Sequence, residues 1–123
     1  MTFRKFDAGL AVAVSGLMVA FTNPALAHAE LLRSDPAPNS TVSAPKTFKL
    51  TFSEKIVPAF SGFKLAMGDG MTIDVTTKLA SDGITMTGTP KGSFMSGTYK
   101  LSWHAAAVDD GHRTEGSFTF KVK

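Results

Sequence analysis

Three separated features of this chain carry donor atoms that a metal ion can use: His28, Glu54 and the Asp110-Gly111-His112 run. His28 gains its interest from what precedes it. Ala25-Leu26-Ala27 is a small-x-small pattern of the kind a signal peptidase cuts, and a cut after Ala27 makes His28 the first residue of the mature chain. A histidine in that place presents a free α-amine beside its imidazole, two nitrogen donors on one residue. Glu54 ends the stretch Leu50-Thr51-Phe52-Ser53-Glu54, and Asp110 and His112 flank a glycine. Brought together, these groups offer an amine, two imidazoles and one or two carboxylates. A nitrogen-rich, sulfur-free set favours Cu(II), which heads the Irving–Williams order, with Ni(II) and Zn(II) as competitors. A blue-copper electron carrier is excluded, because that centre needs a thiolate and the chain has no cysteine.

Each feature also has a plainer reading. A histidine at a mature terminus can simply fray. Glu54 can be a solvated turn residue, and Asp110 can cap local amides in its own loop. Asp109 could serve in place of Asp110, and spacing does not choose between them. His104 alternates away from Trp103 and reads as a surface residue. Met67, Met71, Met86 and Met95 could suggest a thioether site, but the first three follow the inward parity of their strands, which favours core packing.

The elements that must position these groups follow from the rest of the chain. Arg4 and Lys5 precede an apolar run from Gly9 to Phe21, so residues 1–27 read as an export signal, too short to cross a bilayer comfortably. Removing 27 of the 123 residues leaves 96, His28 to Lys123, one small domain. Arg4, Lys5 and Asp7 leave with the leader, so the 13 basic and 10 acidic side chains become 11 and 9. That mild excess is scattered, which argues against a nucleic-acid partner. Phe48, Leu50 and Phe52 alternate with polar neighbours, as do Phe63, Leu65 and Met67, then Met71, Ile73 and Val75 across a Gly68-Asp69-Gly70 turn. Asp82-Gly83 marks a second turn. Tyr99, Leu101, Trp103 and Ala105 form one long alternation, and Phe118, Phe120 and Val122 the last. About seven short strands at roughly ten-residue spacing predict an all-β domain, an antiparallel immunoglobulin-like sandwich or a Greek-key barrel.

His28-Ala29-Glu30-Leu31-Leu32, Asp35-Pro36-Ala37 and Leu50-Thr51-Phe52-Ser53-Glu54 resemble the CopC family of periplasmic copper-binding proteins. So do Gly97-Thr98-Tyr99 through Trp103, Asp110-Gly111-His112 and Gly116-Ser117-Phe118-Thr119-Phe120. The resemblance spans nearly all of residues 28–123. It implies a seven-stranded, cupredoxin-like Greek-key barrel without the blue-copper site. It also implies a Cu(II) centre, one ion per chain, in which His28 chelates through amine and ring. By motif, His112 is the second imidazole, Asp110 the acidic residue two before it, and Glu54 the glutamate of the F-S-E motif. Family members with a Cu(I) site have a methionine-rich loop, often with histidine; Met67-Gly68-Asp69-Gly70-Met71 is short and lacks one, so no separate Cu(I) site is expected. The implied role is a monomeric periplasmic carrier or buffer in copper resistance or supply. It would not be membrane-embedded after signal cleavage and would deliver to a CopD-like inner-membrane copper transporter. Two other classes compete. A terminal histidine with a second histidine also builds the copper brace of lytic polysaccharide monooxygenases, but Tyr99 and Trp103 share the core-facing parity and leave little to hold a polysaccharide. A plain adhesion sandwich would bind no stoichiometric metal.

Overall fold

The computed structural model describes residues 28–123; the export-signal reading of residues 1–27 lies outside the described residues. In chain order the strands are β1 (Leu31–Asp35), β2 (Thr41–Val42), β3 (Phe48–Phe52), β4 (Gly62–Met67), β5 (Thr72–Ile73), β6 (Val75–Leu79), β7 (Thr85–Pro90), β8 (Gly97–Ala106) and β9 (Arg113–Val122). Seven of them have five or more residues; β2 and β5 are two-residue ribbons. The one helical turn among the described residues is a 3-10 turn at Pro58–Phe60, where Pro58 withholds the amide that a continuing strand would need. No helix of the described residues is long and apolar enough to cross a membrane.

The strands form two sheets, ordered β1-β3-β7-β6 and β2-β9-β8-β4-β5. Alternation builds the layer between them. Phe48, Leu50 and Phe52 of β3 are fully buried, as are Tyr99, Leu101 and Ala105 of β8 and Phe120 of β9. The aromatic rings interlock: Phe48 lies 5.8 Å from Phe63 and 5.7 Å from Phe120, and Tyr99 stacks on Phe120 at 5.7 Å. Each such fully buried large side chain contributes roughly 1.5–3 kcal/mol. With no disulfide available, this aromatic layer carries the stability.

Of the two architectures the strand spacing allowed, the sandwich is the one that forms. The difference is made at Asp74. Ile73 pairs with Leu65 in one sheet, whereas Val75 pairs with Pro90 in the other. The expected single return strand through Met71, Ile73 and Val75 therefore switches sheets, and no ladder closes β5 onto β6 to make a barrel. The same break puts Met71 outside: it is 56% exposed, against 1% for Met86. Inward parity thus holds for Met86 and in part for Met67, which packs against the core half-buried, and fails for Met71.

β8 and β9 pair along their whole length, from Gly97 opposite Val122 to Ala106 opposite Arg113. The hairpin loop between them, 107–112, consequently projects at the end of the sandwich where β1 begins, since Leu31 opposes Phe52 at the end of β3. That end receives all three candidate segments.

Candidate metal centre

The segment before β1 is fixed from both sheets. Ala29 is fully buried, and its carbonyl accepts a hydrogen bond from the Thr114 hydroxyl of β9 at 2.5 Å. From the other sheet, Ser53 holds the same segment three times. Its amide donates to Glu30 O at 2.8 Å, its hydroxyl accepts from the Glu30 amide at 2.9 Å, and it donates to His28 O at 3.4 Å. His28 therefore leaves a backbone held at residues 28 to 30.

The facing loop is held by its own bonds. Gly111 N donates to Ala107 O at 2.9 Å and Ala107 N to His112 O at 3.1 Å. Gly111 adopts φ 70°, a left-handed conformation that a side chain would strain. Asp110 caps this turn, its Oδ1 accepting from the His112 amide at 2.9 Å. The amide-capping role that sequence allowed for Asp110 is thus real, and it leaves the second carboxylate oxygen available. Gly111 and His112 are exposed.

The pinned segment before β1 and the capped loop meet at their histidines. The His28 and His112 rings stack with centroids 4.0 Å apart and planes within 6°. Glu54 directly follows Ser53 and is half-buried, so its backbone lies beside the clamp. Asp109 is an exposed loop residue next to Asp110. Among the described residues, no three His, Cys, Asp or Glu side chains are gathered closely enough to form a complete metal cage. The two imidazoles are together; the carboxylates of Asp110, two residues before His112, and of Glu54, next to Ser53, do not close a cage around them. Thr114 and Ser53 are the positioning residues that sequence reasoning missed. Ser53 sat in a noted motif, but nothing in a sequence signals that Thr114 reaches a carbonyl 85 residues away.

His104, read from sequence as a surface residue, is half-buried on β8. Its ring lies over Gly62, about 3.5 Å from where a Cβ would stand. Burial holds its pKa below the ordinary value of 6.5, helped by Arg113 and Lys64 and opposed by Glu115. Trp103 is half-buried, edge-on to Phe52 at 5.5 Å. It shares a shallow depression with Ala29, Glu30 and Thr114, so its fluorescence can report on the terminus.

A β-sandwich with a sulfur-free pair of stacked histidines at one end defines a class of small domain whose chemistry sits on its rim. The chain belongs to the CopC family, whose domain model matches residues 31–123; His28 lies just before the matched stretch. It is 41% identical over 106 residues to copper resistance protein C of Xanthomonas campestris pv. juglandis, covering 80% of this chain and 83% of that one. It is 36% identical over 121 residues to copper resistance protein C of Escherichia coli, covering 92% and 95%. Among solved structures, PcoC, a methionine-rich copper resistance protein from Escherichia coli, superposes with a TM-score of 0.72 at 35% identity, covering 79% of this chain and all of that one.

Proposed function

We propose that this protein binds Cu(II), one ion per chain, and serves in the periplasm as a copper carrier or buffer in copper resistance or supply, without catalysis. The observation that carries the reading is the stacked pair of His28 and His112 at 4.0 Å. Two imidazoles that close can share one ion at metal–nitrogen distances of about 2 Å, once the rings turn out of their stack so that their in-plane lone pairs converge. Cleavage after Ala27 would add the α-amine of His28. The free oxygen of Asp110 and the carboxylate of Glu54 are the oxygen donors, and this mixed set suits Cu(II). The relatives' name, copper resistance protein C, supports the metal.

Each residue has a distinct part. His28 chelates, His112 supplies the opposing ring, and Asp110 both holds the loop and offers charge. Thr114 and Ser53 keep the terminus from moving, so less entropy is lost when the ion binds. The short loop at Met67–Met71 supports a chain without a separate Cu(I) site. A monomer that hands its ion to a CopD-like membrane transporter is the matching physiology.

Placing one alanine between the leader and His28 tests the centre. It removes the α-amine and keeps both imidazoles. A Cu(II) competition titration followed by Trp103 fluorescence should show affinity at least tenfold weaker, about 1.4 kcal/mol. Unchanged affinity in that variant would overturn the proposed chelate.

A further inference from the structure

A groove of about 540 Å³ opens beside the histidine end, walled by Val57, Ala59, Phe60 and Ala106, with His104 and Arg113 as its polar side chains. Gly111, next to His112, also lines it. It is built where the chain after β3 runs against the end of β8: Val57 N donates to Ala106 O and Val108 N to Lys55 O, each at 2.9 Å. Pro58–Phe60 then turns outward, leaving Phe60 65% exposed, and Val108 across from Lys55 is 53% exposed. A largely apolar groove with a few polar groups at its edge is the kind of concavity in which binding sites form, and Phe60 stands exposed along it.

We propose that this groove docks a partner protein through a segment that places an apolar side chain next to an acidic one. The apolar part answers Val57, Ala59, Phe60 and Ala106. The acidic part answers Arg113, whose planar guanidinium matches a carboxylate in two-point fashion. Among the described residues Arg113 is weakly committed: it pairs with Glu115 at 3.5 Å, both side chains being more than half exposed, so the pair is weak and an incoming carboxylate can replace it. His104, held neutral at neutral pH by its burial, adds a hydrogen-bonding group without adding charge. Lys64 and Arg113 are the cations that His104 senses, against the single carboxylate of Glu115, so the field there favours an anionic visitor. Because Gly111 belongs to both the groove and the loop carrying His112, a docked segment lies alongside the proposed copper site. A docked partner is thereby placed to receive or supply the ion; that role rests on the copper-carrier reading, whereas the docking itself does not.

The test uses chain purified from cells expressing the full sequence, titrated with the capped dipeptide acetyl-Phe-Glu-amide and its counterpart acetyl-Phe-Lys-amide. Nuclear magnetic resonance should show saturable shifts at Gly62, His104, Ala106 and Arg113 with the glutamate peptide, at least fivefold stronger than with the lysine peptide. Arg113→Gln should erase that preference, and Phe60→Ser should weaken both peptides. Cu(II) affinity of Phe60→Ser should equal that of the parent, which keeps failure of the groove distinct from failure of the copper site. Absent shifts, or equal binding of the two peptides, overturns the proposal. So does concentration-dependent dimerisation that Phe60→Ser abolishes, because the occupant would then be a second copy of the chain.

Discussion

A histidine proposed to chelate from a chain end needs its backbone held, and here Thr114 and Ser53 hold the segment around His28. Thr114 donates to Ala29 O from β9, and Ser53 bonds residues 28 and 30 from the end of β3. Thr114→Val keeps the shape of the side chain and removes the donor to a buried residue's carbonyl. The expected cost is about 1–3 kcal/mol for leaving that acceptor unsatisfied, read as a lower urea midpoint with unchanged slope. Copper affinity should fall several-fold with it, since the terminus then has to be ordered on binding. Full affinity alongside lost stability would show that the clamp serves the fold alone. His112→Ala makes the opposite prediction: the residue is exposed, so stability should stay within about 0.5 kcal/mol of the parent while Cu(II) affinity drops at least tenfold. The candidate donors were legible in the sequence because a histidine after a small-x-small pattern and an Asp-Gly-His run are local patterns, and the structure brings the His28 and His112 rings together. The clamp was not, because its partners are neighbours only through the β8–β9 pairing. Both readings of Asp110 were legible, and the structure shows the capping one, with Oδ1 accepting from the His112 amide.

The strands were legible wherever apolar and polar residues alternate, since that period assigns one face to the core. They became illegible at Asp74, where the same alternation runs from Ile73 to Val75 while the hydrogen bonding changes sheet. Parity reports which face is buried and says nothing of which neighbour a strand joins. Glycine marks a second limit. Gly88 reads as a weak spot in β7, yet a Cβ there would stand 2.4 Å from Phe63 Cζ and 2.7 Å from Val75. Its bareness lets a ring of the facing sheet settle onto β7, so the sandwich closes around Phe63. Gly88→Ala must displace that ring, and overpacking of this kind costs about 1–3 kcal/mol. Thermal denaturation followed by circular dichroism should register the loss, and copper affinity should hold, because Gly88 opposes Phe48 at the end of β3 farther from Ser53 and Glu54. A Gly88→Ala protein as stable as its parent would refute this account of the core.

At the scale of the molecule, proton and metal act on the same folding equilibrium. His104 has a folded pKa below its ordinary value of 6.5 because burial disfavours the imidazolium. The unfolded chain therefore binds the extra proton first as pH falls, and stability must decline with acidification, starting below about 6.5 and continuing through the lower folded pKa. Asp82 acts in the same direction at more acidic pH. Its carboxylate is held below the ordinary 3.8 chiefly by the Thr85 hydroxyl and the Ile84 amide, so its contribution is present above 3.8 and lost beneath it. Copper adds a third dependence, since its donors must be deprotonated to bind. An ion that binds the folded chain alone stabilises it by about 2.7 kcal/mol at a free concentration 100 times its Kd. Urea midpoints measured at pH 7.5 and 5.5, with and without Cu(II), should separate these effects. His104→Gln should flatten the metal-free difference between the two pH values, whereas the copper increment should shrink at pH 5.5 in parent and variant alike. A copper increment that stayed constant between the two pH values would be incompatible with imidazole and amine donors, and would remove His28 from the site whatever the stacked rings suggest.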